Sequence, residues 1–244
     1  MKTLLCLIFI ILFFVPDGPV AAQTDLILNT AGNAPLHHPD QTGLLDRLVV
    51  EAFARIDRKV SIQHLPPERG LLNANLGIED GEAGRIGGLG AMYPNLVQVP
   101  TPVFHSQFVA FSNGQALPIR SWQDLQPYDV AICRGHKISE ENVPACRSLV
   151  KAANTEILFT LLKNNRADVV VCERIFGVAM AQKLNLGAVR ILEPPLASVD
   201  FFIYLNRKHE ALVAGLAKAL GQMEEDGTSR SIYAKFPQAR GSDE

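Results

Sequence analysis

Apolar residues recur along this chain with two different periods. Residues 25–30 (DLILNT) and 59–64 (KVSIQH) carry the short apolar runs of strands. Between them, residues 43–56 place Leu44, Leu45, Leu48, Val49, Ala52, Phe53 and Ile56 at helical spacing. Pro67 then opens a helix over residues 68–76, and Gly77 with the Asp80-Gly81 pair ends it. This β-α-β-α order predicts a parallel sheet covered by helices. A second set follows. Strands are predicted at 130–133, 149–152, 167–172 and 189–192. A short helix begins near Ser139, read as its N-cap, and longer helices cover 155–164 and 175–184. Two extended stretches, 97–112 and 199–205, link the sets. A last helix is predicted over 210–225 from Leu212, Val213, Leu216, Leu220 and Met223.

Two α/β sets joined by two extended connections predict a two-lobed α/β protein. The expected partition is 23–111 plus 199–244 for the first lobe and 112–198 for the second. Ligands of open α/β sheets sit beyond the carboxyl ends of the strands. Two facing lobes would therefore enclose a cleft that closes by hinge motion.

The first 22 residues stand apart from this pattern. Lys2 precedes an apolar run from Leu4 to Val15, followed by Pro16, Gly18, Pro19 and a small-residue end at Ala22. That is the order of a secretory signal peptide cleaved after Ala22, and the run is short for a membrane span. About 220 residues remain, enough for two lobes of roughly 100 each. Secretion places the protein in the periplasm and argues against cytosolic nucleotide cofactors. The net charge of −2 gives no extended surface for nucleic acid. Three cysteines follow the leader: Cys133, Cys146 and Cys172. An oxidising compartment permits one disulfide, with Cys133 and Cys172 facing each other across neighbouring strands; three buried free thiols are the alternative. No cysteine or histidine spacing matches a zinc site. His37, His38, His64 and His105 are scattered along the chain, so no metal is expected. Neither a G-x-S-x-G turn nor a P-loop occurs.

Six segments in order resemble bacterial extracellular solute-binding proteins of family 3, the amino-acid-binding type. They are the Ala34-Pro35 loop with GLLDRLVVEAF, PPERGLLNANLGIEDGEAGRI, TPVFHSQFVAF, the RGHKISEE turn, LLKNNRADVVVCER, and HEALVAGLAKALGQMEEDGTSRSIYAKF. The resemblance implies the two-lobed periplasmic-binding-protein-like fold (type II). It also implies a non-catalytic protein that delivers a small solute to a membrane permease or sensor, acts as a monomer and uses no cofactor. The chain departs from the pattern at two places. Met92 stands where amino-acid binders of the family carry a carboxylate-binding Arg, and Asn33 where they carry an aromatic residue. The ligand-facing positions implied here are Asn33, Glu68, Arg69 and Glu173.

Local chemistry adds further candidates. Arg85 ends the segment GEAGRI at the expected cleft mouth, where a guanidinium can grip a carboxylate in bidentate fashion; the alternative is an ion pair with Glu82. Arg134, His136 and Lys137 flank Gly135 in a strand-to-helix turn, a geometry that suits anions. Glu173 follows a buried strand and needs a ligand, solvent or a base such as Arg174. These residues predict a small polar solute, anionic or zwitterionic. Two other readings stay open. One is a periplasmic dehydratase of the cyclohexadienyl type on the same scaffold, with Glu173 as general acid. The other is an interaction module without a small ligand.

Overall fold

The computed structural model describes residues 25–236. The expected leader and its expected cleavage site lie outside them. Five strands and two α-helices form the first part: β1 (Leu26–Thr30), α1 (Leu44–Ala54), β2 (Val60–His64), α2 (Pro67–Leu76), β3 (Gly81–Ile86), β4 (Leu96–Gln98) and β5 (Phe104–Asn113) carry the chain to its midpoint. Then follow β6 (Asp129–Cys133), α3 (Lys137–Asn142), β7 (Ser148–Ala152), α4 (Thr155–Lys163), β8 (Val169–Glu173), α5 (Arg174–Lys183) and β9 (Val189–Asn206). Helices α6 (Val213–Glu225) and α7 (Thr228–Tyr233) end the described chain.

The strands run in the order β2-β1-β3-β9-β5-β8-β6-β7, with β4 also paired to β9. The two ends mirror each other. On one side β2, β1 and β3 are parallel, and β3 meets β9 antiparallel. On the other side β7, β6 and β8 are parallel, and β8 meets β5 antiparallel. The long strands β5 and β9 pair with each other in the middle. The apolar runs DVAIC and DVVVC become β6 and β8 because both of their faces are covered.

Separate cores lie to either side of these two strands. The first gathers Leu28, Leu48, Val49, Phe53, Ile203, Leu205, Leu216 and Met223. The second and third, on the two faces of the other parallel strands, gather Phe111, Phe159, Leu162 and Cys172, and Ile119, Leu125, Ile132 and Val171. Strand β5 contributes Phe104 to the first core and Val109, Ala110 and Phe111 to the other two. Burial of such side chains contributes ~1.5–3 kcal/mol each before entropy is counted.

Local chemistry sets the helix ends. Helix α2 begins with Pro66 and Pro67 and stops at Gly77, whose φ of 77° suits a residue without Cβ. Asp46, fully buried in α1, accepts from the Gly43 and His38 N–H groups and bonds the His37 ring at 2.7 Å. His37 is thus committed to holding a loop. Among the described residues, no group of three His, Cys, Asp or Glu could hold a metal ion.

Three readings of the sequence change, and one that it left open is resolved. Residues 189–206 form one continuous strand rather than two, because the stretch around Pro194 and Pro195 falls where the pairing with β5 is interrupted, between Leu192 and Ala197. Helix α3 starts at Lys137, so Ser139 lies inside it, buried and with its hydroxyl unpartnered, rather than capping it. Helix α7 was not foreseen, since TSRSIY is short and mostly polar. All three described cysteines are free thiols. Cys133 and Cys172 do lie on neighbouring parallel strands, one step beyond the Ile132↔Val171 pair.

Candidate functional site

Strand β1 ends in the loop 31–36, β3 ends at Arg85 and Ile86, and β8 ends at Glu173. These carboxyl ends converge on one cavity of about 950 Å³. From the first part of the chain it is lined by Thr30 to Leu36, Leu45, Gly84, Arg85 and Ile86. His136, Asn154, Thr155, Glu156, Glu173, Phe176, Met180 and Lys183 line it from the second. Phe104 and Phe201, from the shared strands, complete the wall.

Arg85 and Glu173 therefore border the same space, but their surroundings differ. The Arg85 Nε donates to the buried Glu82 Oε2 at 2.8 Å, and its Nη2 donates to the Pro67 carbonyl at 3.0 Å. Both oxygens of this clamp come from the protein itself; among the described residues Nη1 has no partner. Behind it, the second oxygen of Glu82 is buried without a hydrogen bond. Desolvation pushes the Glu82 carboxyl above its ordinary range, against the pull of Arg85. Gly70 makes room for this arrangement: a Cβ there would stand 2.5 Å from the Glu82 Oε1.

Glu173 has a lighter environment. Its Oε2 accepts from the Ser106 hydroxyl at 2.7 Å, and among the described residues Oε1 accepts from none. Desolvation raises its pKa; the Ser106 hydrogen bond and the nearby His136 oppose that shift. The His136 ring packs edge-on to Phe108, with centroids 6.3 Å apart, and its Nδ1 is buried and unpartnered. Arg174, the base considered for Glu173, turns elsewhere: it donates to Gln107 and pairs with Glu193 at 2.7 Å.

The turn after β6 keeps its own hydrogen bonds. The N–H groups of Arg134, Gly135 and His136 donate to the Ala152 carbonyl, the Glu140 carboxylate and the Cys133 carbonyl. Arg134 is exposed and lies off the cavity lining. Lys137 opens α3. Glu68 and Arg69 sit exposed in the first turn of α2, also off the lining, whereas Asn33 is on it. Met92 is 70% exposed, away from the cavity.

Sequence reasoning missed two contributions. One is the start of α4, where Asn154 caps the helix by accepting from the Ile157 N–H and Thr155 and Glu156 face the cavity. The Asn-Thr-x pattern before a helix is the signal that marked it. The other is one face of α5, where Phe176, Ala179, Met180 and Lys183 follow helical spacing along the wall. Lys183 there pairs with Glu156 at 2.7 Å.

No family model matches the chain. An uncharacterized protein of Shewanella oneidensis is 25% identical over 189 residues, which is 74% of this chain and 70% of that protein. Solved structures resemble it along most of its length. An ancestral cationic amino acid solute-binding protein superposes with a TM-score of 0.71 at 19% identity, covering 88% of this chain and 96% of that one. The GluR0 ligand-binding core in complex with L-glutamate gives 0.71 at 16% identity, over 88% and 99%. A histidine kinase sensor domain with similarity to periplasmic binding proteins gives 0.64 at 16% identity, over 87% and 95%. The fold is thus that of the two-lobed periplasmic-binding-protein-like structures, of the kind found in amino-acid solute-binding proteins. Among the described residues no helix is long and apolar enough to cross a membrane.

Proposed function

We propose that this protein is a periplasmic solute-binding protein, exported by its first 22 residues, that closes around one small zwitterionic solute for uptake or sensing. Its lobes are residues 23–111 with 199–244 and residues 112–198, and it hands the closed form to a permease or sensor as a monomer. One observation carries the reading: residues from both parts of the chain line a single cavity of about 950 Å³, with Arg85 and Glu173 on its wall. The free oxygen of Glu173 suits an ammonium group. Arg85 Nη1 and the amino end of α4 suit a carboxylate. A purely anionic solute is less favoured, because the turn at 134–136 spends its N–H groups internally. An open cavity also weighs against an interaction module whose cleft is filled by its own side chains.

The test is a thermal-shift screen of amino acids, amines and small carboxylates on wild type and Glu173→Ala. A ligand at about 100 times its Kd raises stability by ~2.7 kcal/mol. The expected result is a shift in wild type that Glu173→Ala removes; no shift with any solute refutes the proposal.

A second reading keeps one supporting observation. A carboxyl group with a raised pKa, facing a cavity, is the form a general acid takes. A further structure of the ancestral amino-acid-binding protein is described as a precursor of cyclohexadienyl dehydratase, at 19% identity and a TM-score of 0.63. Incubation with prephenate and arogenate separates the readings: product formation supports the dehydratase, and binding without product supports the carrier.

A further inference from the structure

We infer that the solute of this cavity carries a sizeable apolar body behind its charged head, so that the site selects a hydrophobic zwitterion over a compact or doubly charged one. The inference rests on the binding role proposed above. It follows from the distribution of charge and apolar surface around the wall.

The charges come first. Four residues with permanent ionisable groups other than histidine border the cavity: Arg85, Glu156, Glu173 and Lys183. Arg85 is already matched by Glu82 at 2.8 Å, and Lys183 by Glu156 at 2.7 Å. Glu173 alone has a neutral donor, Ser106, and no cationic side chain in hydrogen-bond contact. The protein thus leaves room for one solute cation and, at the spare Arg85 nitrogen, one carboxylate. It holds no second unmatched acid for a basic side chain, and beyond Arg85 only the unpartnered His136 Nδ1 remains for an acidic one.

Apart from the polar Thr30, Asn33, His136, Asn154 and Thr155, the rest of the wall is apolar and assembled from five elements. Pro35 and Leu36 come from the first loop, Ile86 from the end of β3, Phe104 and Phe201 from the shared strands, and Phe176 and Met180 from α5. The Phe104 and Phe201 rings lie 5.9 Å apart. Phe176 is only partly buried although it packs beside the first core, and Ile86 is 50% exposed. Large side chains left partly open beside a cavity have apolar area still to be removed from water. A solute side chain that covers them gains by taking that area out of water, and a methionine beside them adapts to irregular shapes.

Isothermal titration calorimetry of wild-type protein with phenylalanine, leucine, serine, glutamate and arginine tests the idea. All five share one head and differ in body. Phenylalanine or leucine is expected to bind at least about ten-fold tighter than serine, and with a more negative heat-capacity change. Phe176→Ala and Met180→Thr are expected to weaken the hydrophobic ligand about ten-fold and serine by far less, so that the ratio between the two collapses. If serine, glutamate or arginine binds as tightly as the hydrophobic pair, the inference falls while the binding role stands. If none of the five binds, and none of the wider amine and carboxylate screen does, both fall. Should either variant fail to fold, the wild-type ranking still decides.

Discussion

The two sides of the cavity solve the same electrostatic problem in opposite ways. On the first side, Arg85 is locked by Glu82 and the Pro67 carbonyl, so its charge is offset before any solute arrives. On the second, Glu173 has one hydroxyl donor and His136 one unpartnered nitrogen. A buried group without its full set of partners costs free energy that a ligand can recover. On the proposed reading, the matched side holds shape and offers one spare Arg85 nitrogen, and the unmatched side exerts the stronger pull on the solute.

The largest expected effect breaks the matched side. Arg85→Ala leaves the buried Glu82 without its counter-charge, and removing one member of a buried pair costs ~3–5 kcal/mol. Chemical denaturation of the ligand-free protein should register that loss; an unchanged midpoint would mean the clamp is not structural.

Next comes the unmatched side. Glu173→Gln should weaken the solute by ~1.5–3 kcal/mol, the range for a hydrogen bond to a charged group, with little loss of fold stability. Its pH behaviour has a definite sign. The folded-state pKa is raised above the ordinary 4.5, so the folded form holds that proton more tightly than the unfolded one. The contribution to stability is full below about pH 4.5 and fades as pH rises through the raised value. Wild-type melting curves without ligand should fall over that window more steeply than those of Glu173→Gln. Parallel curves would remove desolvation as the cause.

Gly70→Ala probes the packing behind Arg85. The new methyl would meet the Glu82 carboxylate at 2.5 Å, and overpacking of this kind costs ~1–3 kcal/mol. The smallest effect belongs to Lys183→Ala. It opens a pair whose members are 61% and 53% exposed, where an ion pair is worth ~0–1 kcal/mol. A change of more than that in the denaturation midpoint would show the pair to be more than a rim contact.

Much of the fold was legible because its strands are short apolar runs and its helices are strongly amphipathic. VVEAF and DVVVC could serve few other purposes. The continuity of β9 was not legible, since two prolines read as a break and the interruption that accommodates them belongs to β5 as much as to β9. At the site, Asn33, Arg85, His136 and Glu173 follow strand ends, a position the order of elements predicts, and all four line the cavity. Glu68, Arg69 and Arg134 also flank predicted element ends, yet they point to solvent or lie off the lining. For Glu68 and Arg69 a one-residue difference in helix phase decides the case, and for Arg134 the course of the turn does; the pattern fixes neither that finely. The face of α5 with Phe176 and Met180 escaped notice for another reason. Apolar spacing on a helix reads as core whether its neighbour is another side chain or an open cavity.

Strand β9 has a further consequence for anyone who cuts the gene. Its 18 residues pair with β3, β4 and β5, and β5 in turn borders β8. A fragment holding β6 to β8 without β5 would display the bare flank of β8, three valines and all, as a template for sticking to its own copies. The halves of this molecule are best regarded as co-dependent: each needs the same pair of long ribbons to stay soluble, so neither is a module that recombination could lift out alone.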